Sequence, residues 1–297
     1  MARTGHNLLL LGLAAFSALA ACSLISCRKP PEVVLDRPRL APGVKLADVT
    51  FYSQALRRQM CYRVLMPESA GDRKLPVLYL LHGGGGTFRD WSNYSDVAKY
   101  APDYLLVMPQ GDYSYYVNAA LRPPDRYEDY IVNDLAADVE SQFPARKDRA
   151  GRAIVGVSMG GFGAVNLALH HPERFIFAGA ISPAIDAPRR PFTWKRLNQS
   201  RAFRDLFGPE GSDTRRSNDP FVQVRNADSS KAAYLYLTCG LQEGLLGPNR
   251  EFTALVEKRG IAHEFHAVLG GHDWNQWNAA LPGVFDSLRS HFDSKQE

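Results

Sequence analysis

The run Gly-Val-Ser-Met-Gly at residues 156–160 narrows the fold of this chain more than any other feature. An apolar β-type stretch, Arg152–Val155, precedes it, and an apolar helical stretch, Phe162–His170, follows. A strand that turns sharply into a helix around one serine is the setting of a nucleophile elbow. Glycines flank such a turn because it is too cramped for side chains, and the strain lifts the Ser158 hydroxyl clear of the backbone.

The flanking sequence has the matching rhythm. Apolar β-type segments at Lys45–Tyr52, Arg58–Met66, Pro76–Leu81, Tyr104–Met108, Phe175–Ser182, Ala232–Thr238 and Glu264–Val268 alternate, from the third onward, with helical patterns. In Tyr127–Phe143 the residues Ile131, Leu135, Val139 and Phe143 recur every four positions, and Pro144 stops the helix. Helices are also expected at Arg250–Arg259 and Ala279–His291. Strands alternating with long helices give an α/β domain of three layers with a mostly parallel central sheet. Residues 183–231 are irregular and polar, with a short helix at Ser200–Phe207, and are placed to overhang a cleft. In such sheets chemistry collects where strands end at their carboxyl side. Ser158, the His82 loop, the Glu243 loop and His272 all follow strands closely.

The first 44 residues read differently. Arg3 and His6 precede an apolar run from Leu8 to Ala21, the pattern of an export signal over residues 1–21 and short for a bilayer span. Leu19-Ala-Ala-Cys22 fits a bacterial lipobox, with Cys22 as the lipidated residue; Leu24–Cys27 is a weaker match, and simple cleavage after Ala20 or Ala21 is the alternative. Lipidation would place the protein in the cell envelope, tethered to membrane; simple cleavage would release it. Pro30, Pro31, Pro38 and Pro42 make residues 22–44 a stiff tether, leaving 45–297 as one catalytic domain. The four cysteines do not form a disulfide framework, and Cys61 and Cys239 read as buried small hydrophobes. Net charge is +4 with the positive residues scattered, which gives no support to nucleic-acid binding.

Acyl transfer needs a nucleophile, a base, an orienter for the base and an oxyanion site. Ser158 is the nucleophile. His272, in a turn made by Gly270 and Gly271 and later in the chain than the serine, is the base. Glu243, in the loop after the Ala232–Thr238 strand, is the acid, with Asp186 in reserve. The oxyanion site falls to the backbone N–H groups of Met159, at a helix N-terminus, and of Gly84 in the loop His82–Gly86. His82 is expected to hold that loop by a side-chain hydrogen bond. The loop lacks the Gly-Lys-Ser/Thr ending of a phosphate cradle. No metal or organic cofactor is required. Trp91, Tyr115, Tyr116, Trp194 and Trp274 are candidates for stacking on a sugar or phenolic acid; core packing is the alternative reading.

With these residues in view, the chain resembles the esterase D / feruloyl-esterase-like branch of the α/β-hydrolases, which includes tributyrin-type, acetyl-xylan and feruloyl esterases, S-formylglutathione hydrolases and mycolyltransferases. The resemblance rests on Val77–Gly84, Met108–Asp112 with Ser114–Tyr116, Tyr127–Ile131, Gly156–Ala164, Cys239 and Gly240 with Asn249, Arg250 and Phe252, and Gly271–Trp274 with Trp277. It implies an α/β-hydrolase fold and an esterase acting through an acyl-enzyme on short-chain or carbohydrate-linked (acetyl or feruloyl) esters. Ser158, His272 and Glu243 would be its triad, and Gly84 and Met159 its oxyanion site. Many of these esterases carry aspartate where this chain has Glu243. An acyltransferase, a thioesterase of the S-formylglutathione kind and a non-catalytic envelope binding protein are the competing expectations.

Overall fold

The computed structural model describes residues 35–71 and 73–293; the leader, Cys22, Cys27 and the tether through residue 34 lie outside the described residues. The strands are β1 (Val44–Ser53), β2 (Arg58–Pro67), β3 (Val77–Leu81), β4 (Leu105–Pro109), β5 (Arg152–Val157), β6 (Phe177–Ile181), β7 (Tyr234–Gly240) and β8 (His263–Val268). They form a single eight-stranded sheet in the order β1-β2-β4-β3-β5-β6-β7-β8. β1 and β2 make an antiparallel hairpin, and β2 pairs antiparallel with β4. All pairings from β4 through β8 are parallel.

The central strands are apolar throughout because both faces are covered. Val77, Tyr79 and Leu81 of β3 enter the core on one side of the sheet, and Leu78 and Leu80 the core on the other. Each such side chain contributes about 1.5–3 kcal/mol when fully buried. Helices Met159–His170 and Leu246–Lys258 cover the first face, and helix Trp274–Asp293 covers the second.

The segment expected as one helix from Tyr127 is interrupted. A π turn at Tyr130–Leu135 lies between helical pieces Tyr127–Asp129 and Ala136–Gln142. The spacing explains it: steps of four residues advance an α-helix roughly 40° past a full turn, and a wider turn absorbs the drift. Ile131, Leu135 and Val139 are all buried as the pattern requires, and Phe143 is extended before Pro144.

The domain begins earlier than the proline pattern indicates. Residues 36–43, read as the end of the tether, are bonded to the body of the domain. Arg37 N–H donates to Asn93 Oδ1 at 3.2 Å, and Arg39 N–H to Ser92 O at 2.7 Å. Asp36 pairs with the buried Arg63 guanidinium at 2.7 Å, and that guanidinium also holds Asp48 at 2.6 Å. Cys239 is buried, which pushes its thiol up to about 12, while Cys61 is only half-buried; both are free. Among the described residues no helix is long and apolar enough to cross a membrane.

Candidate active site

β5 runs into a turn at Ser158, whose φ of 55° and ψ of −114° lie outside the ordinary regions for a residue with a side chain. Such a conformation costs about 1–3 kcal/mol and persists only when its surroundings impose it. Here Ser158 N–H donates to Ile181 O at 2.9 Å, and Ala184 N–H donates to Ser158 O at 3.1 Å. The flanking glycines are obligatory. A Cβ on Gly156 would stand 2.1 Å from Gly160 O, and one on Gly160 would stand 2.3 Å from Leu81 O.

The side chains assigned to acyl transfer meet. Ser158 Oγ lies 2.8 Å from His272 Nε2, and His272 Nδ1 lies 2.7 Å from Glu243 Oε2. With the carboxylate ionised, Nδ1–H donates to it and Nε2 is left to accept from the serine. The two loops are stitched by backbone. Leu241 N–H donates to Val268 O at 2.8 Å, and Gln242 N–H to Gly270 O at 3.2 Å. The histidine ring stands edge-on to Trp277, with centroids 5.1 Å apart. Asp273 turns away and accepts from Asn275 N–H and Gln276 N–H at the start of the last helix. Asp186, the reserve acid, is taken by Arg190 at 2.6 Å.

Ser182, which sequence reasoning missed, and Gly240 fix the other carboxylate oxygen. Glu243 Oε1 accepts from Ser182 Oγ at 2.5 Å and from Gly240 N–H at 2.8 Å. Glycine at 240 lets the carboxylate approach, since a Cβ there would lie 2.6 Å from Oε1. Gln276 Oε1 lies 3.2 Å from Ser182 Oγ, and Gln276 Nε2 is buried without a partner. The single hydroxyl proton of Ser182 is committed to Glu243, so the reversed amide, with Nε2–H donating to Ser182 Oγ, suits this contact better. Ser182 carries a local signal, since a polar residue ends the apolar strand β6; Gln276 carries none.

His82 is fully buried and spans its loop as expected. Its Nδ1–H donates to Gly83 O at 2.8 Å, and its Nε2 accepts from Gly111 N–H at 2.8 Å. Burial holds this imidazole below its ordinary pKa, hence neutral, and the neutral ring is the form both contacts need. Tyr116 Oη–H donates to His82 O at 3.1 Å. Gly84 faces Met159 across the elbow: a Cβ on Gly84 would lie 4.0 Å from Met159 Cβ.

The aromatic candidates divide. Tyr116 is packed on His82 and is fully buried. Tyr115 is enclosed by Phe162, Phe203 and Phe207, and Trp91 is buried edge-on to Trp274. These three are core residues and offer no free ring face to a substrate, which corrects the stacking reading for them. Trp274 is half-buried between Trp91, Tyr94 and Trp277. Trp194 is exposed on the 183–231 segment, edge-on to Phe192. Tyr113, not singled out from sequence, is exposed beside Gly84, its ring 3.1 Å from where a Cβ would stand.

The chain is similar to known esterases. The chain is 25% identical over 260 residues to the acetyl esterase of Caldicellulosiruptor saccharolyticus, covering 81% of this chain and 97% of that one. It is 31% identical over 290 residues to an esterase of Mycobacterium tuberculosis; the match covers 86% of this chain but 62% of that longer protein. A solved ferulic acid esterase aligns with a TM-score of 0.71 at 25% identity, covering 84% of this chain and 98% of its own. Residues 53–288 match the esterase family described as Putative esterase, and the chain belongs to that family as a serine esterase of the α/β-hydrolase fold.

Proposed function

We propose that the protein hydrolyses short-chain or carbohydrate-linked carboxylic esters, acetyl or feruloyl, through Ser158, His272 and Glu243. The observation that carries the reading is the unbroken line of contacts from Ser158 Oγ through His272 to Glu243, at 2.8 and 2.7 Å. Ser158 Oγ attacks the ester carbonyl while His272 Nε2 takes its proton. Glu243 fixes the ring tautomer and stabilises the imidazolium that forms. The N–H groups of Met159 and Gly84 bind the oxyanion, and His272 returns the proton to the departing alcohol. Water activated by the same ring then cleaves the acyl-enzyme. The His272 side chain is 39% exposed, which gives that water a direct approach. The acyl classes are suggested by the names of the acetyl esterase and ferulic acid esterase relatives.

A panel of p-nitrophenyl acetate and butyrate, methyl ferulate and acetylated xylan tests the reading. Turnover of at least one acetyl or feruloyl ester is expected, falling about 10⁵- to 10⁶-fold in Ser158→Ala with the fold retained. Full turnover in that variant, or none on any ester by the unaltered chain, would contradict it. We also propose export with lipidation at Cys22, tested by sensitivity of processing to globomycin; unchanged processing contradicts the lipid anchor.

A further inference from the structure

The segment between β6 and β7 forms a half-open cavity of about 260 Å³ whose walls include Arg190, Phe192, Phe203, Arg204, Glu210 and Arg215. Its charges do not balance. Asp186 neutralises Arg190 through a two-pronged contact, at 2.6 and 3.0 Å. Arg215 is buried, and its guanidinium donates only to main-chain carbonyls: Pro188 O at 2.6 Å, Arg190 O at 2.6 Å and Gly208 O at 3.3 Å. Three of its five N–H groups are thereby used. Arg204 has no carboxylate partner among the described residues. Glu210 is the one acid on the wall, and it accepts from Phe192 N–H at 2.6 Å. Three arginines against Asp186 and Glu210 leave one positive charge unmatched. Arg204, exposed on the rim, is the cation left over, and it stands open to an anion entering the pocket.

The rest of the wall is Phe192 and Phe203 with Ser200, Pro191 and Pro209, and Trp194 stands beside Phe192 outside it. Phe192 and the 78% exposed Trp194 stand edge-to-face at 5.2 Å, and Phe203 lies inside. A dry cavity of about 150 Å³ admits benzene, so this one has room for a single substituted six-membered ring. Phe203 packs on Tyr115 at 5.4 Å, and Tyr115 packs on Tyr113 at 5.6 Å, the exposed ring beside Gly84. Phe203 of the lining is thus linked through Tyr115 to Tyr113 beside Gly84.

We propose that this cavity is a subsite for a six-membered ring bearing one carboxylate, carried on the part of the ester remote from the reacting carbonyl. Its assignment to the substrate rests on the esterase reading; the binding itself does not. The test is calorimetric titration of the full-length Ser158→Ala chain with sodium 4-hydroxybenzoate and with sodium glucuronate, each against its uncharged amide. The first arm stands for an aromatic source of the carboxylate and the second for a sugar. At least one acid is expected to bind at millimolar concentration, about tenfold or more tighter than its amide, and to lose that preference in Arg204→Glu. Equal binding of acid and amide, no binding of either acid, or a preference that survives Arg204→Glu would overturn the subsite. Phe192→Ala separates ring from charge: affinity for acid and amide should fall together, and unchanged affinity for both counts against the ring site. Absence of Ser158-dependent turnover on every ester would instead strike the esterase reading and leave the titration standing.

Discussion

The loops at the carboxyl ends of β3, β5, β7 and β8 and the segment from Pro183 to Lys231 are held by different means. The strand-end loops are short and tied by backbone: Ser158 N–H to Ile181 O, Leu241 N–H to Val268 O and Gln242 N–H to Gly270 O. The later segment is built from short helices and held by side chains as well as backbone, Ala184 N–H donating to Ser158 O at 3.1 Å and Leu121 N–H to Asp205 O at 2.9 Å. Arg215 gathers three carbonyls, and His170 reaches Ser217 O at 2.8 Å while its other nitrogen contacts Glu128 at 3.1 Å. Backbone ties fix atoms to the tolerance that bond-making needs. The elbow is thus set by the strand ends, and the proposed subsite by the segment between β6 and β7.

The sharpest way to break this division is at Glu243. Glu243→Gln keeps the shape but no longer stabilises the imidazolium, so kcat on p-nitrophenyl acetate should fall about 10⁴-fold with little change in melting temperature. A loss of tenfold or less would remove Glu243 from the reaction. Ser182→Ala comes next. Losing a hydrogen bond to a charged group should lower kcat about 10- to 100-fold with KM unchanged. The same change made in Glu243→Gln should have almost no further effect, because Ser182 acts through that carboxylate; additive losses would make its role merely structural.

Acidity should separate the two regions by sign. His82 is buried neutral and its pKa is lowered, so the unfolded chain binds the extra proton first; the loop's stability is full above 6.5 and is lost as pH falls below it. His170 is shifted the other way by Glu128, despite opposing burial, so its contribution is full below 6.5 and is lost as pH rises through its raised value. Glu128 itself is lowered to about 2 by His170 and His171 against burial, and its contribution is lost only as pH falls from 4.5 toward that value. Hydrogen-exchange protection should therefore rise with pH around the His82 loop and fall with pH near Ser217, each by up to about 1.4 kcal/mol per pH unit. Slopes of the same sign would contradict the assignment. The smallest expected effect is Tyr116→Phe, which should cost about 0.5–1.5 kcal/mol of stability and leave KM for acetate esters unchanged. A raised KM would return Tyr116 to the substrate wall.

What the sequence revealed tracks how local the cause is. Ser158, Glu243 and His272 each follow an apolar strand by a few residues, so strand period and glycine turns located them without knowledge of the sheet. His82 was legible for the same reason. For Tyr115 and Tyr116 the sequence leaves stacking and core packing both open; the structure buries both, at positive φ of 54° and 57°, a backbone reversal that no composition signal announces. Residues 36–43 were assigned to the tether because their prolines are visible, whereas the Asp36–Arg63 pair joins positions far apart in the chain. Gln276 meets Ser182 across 94 positions, and nothing local in either residue foretells the contact.

Labelling with a fluorophosphonate, followed by peptide mass spectrometry, probes the Ser158–His272–Glu243 arrangement most directly. One adduct is expected, on Ser158, formed rapidly by the unaltered chain and slowed by orders of magnitude in His272→Ala. No adduct, an adduct on another residue, or one that forms equally fast without His272 would mean that the serine at the elbow is not the activated nucleophile of this esterase.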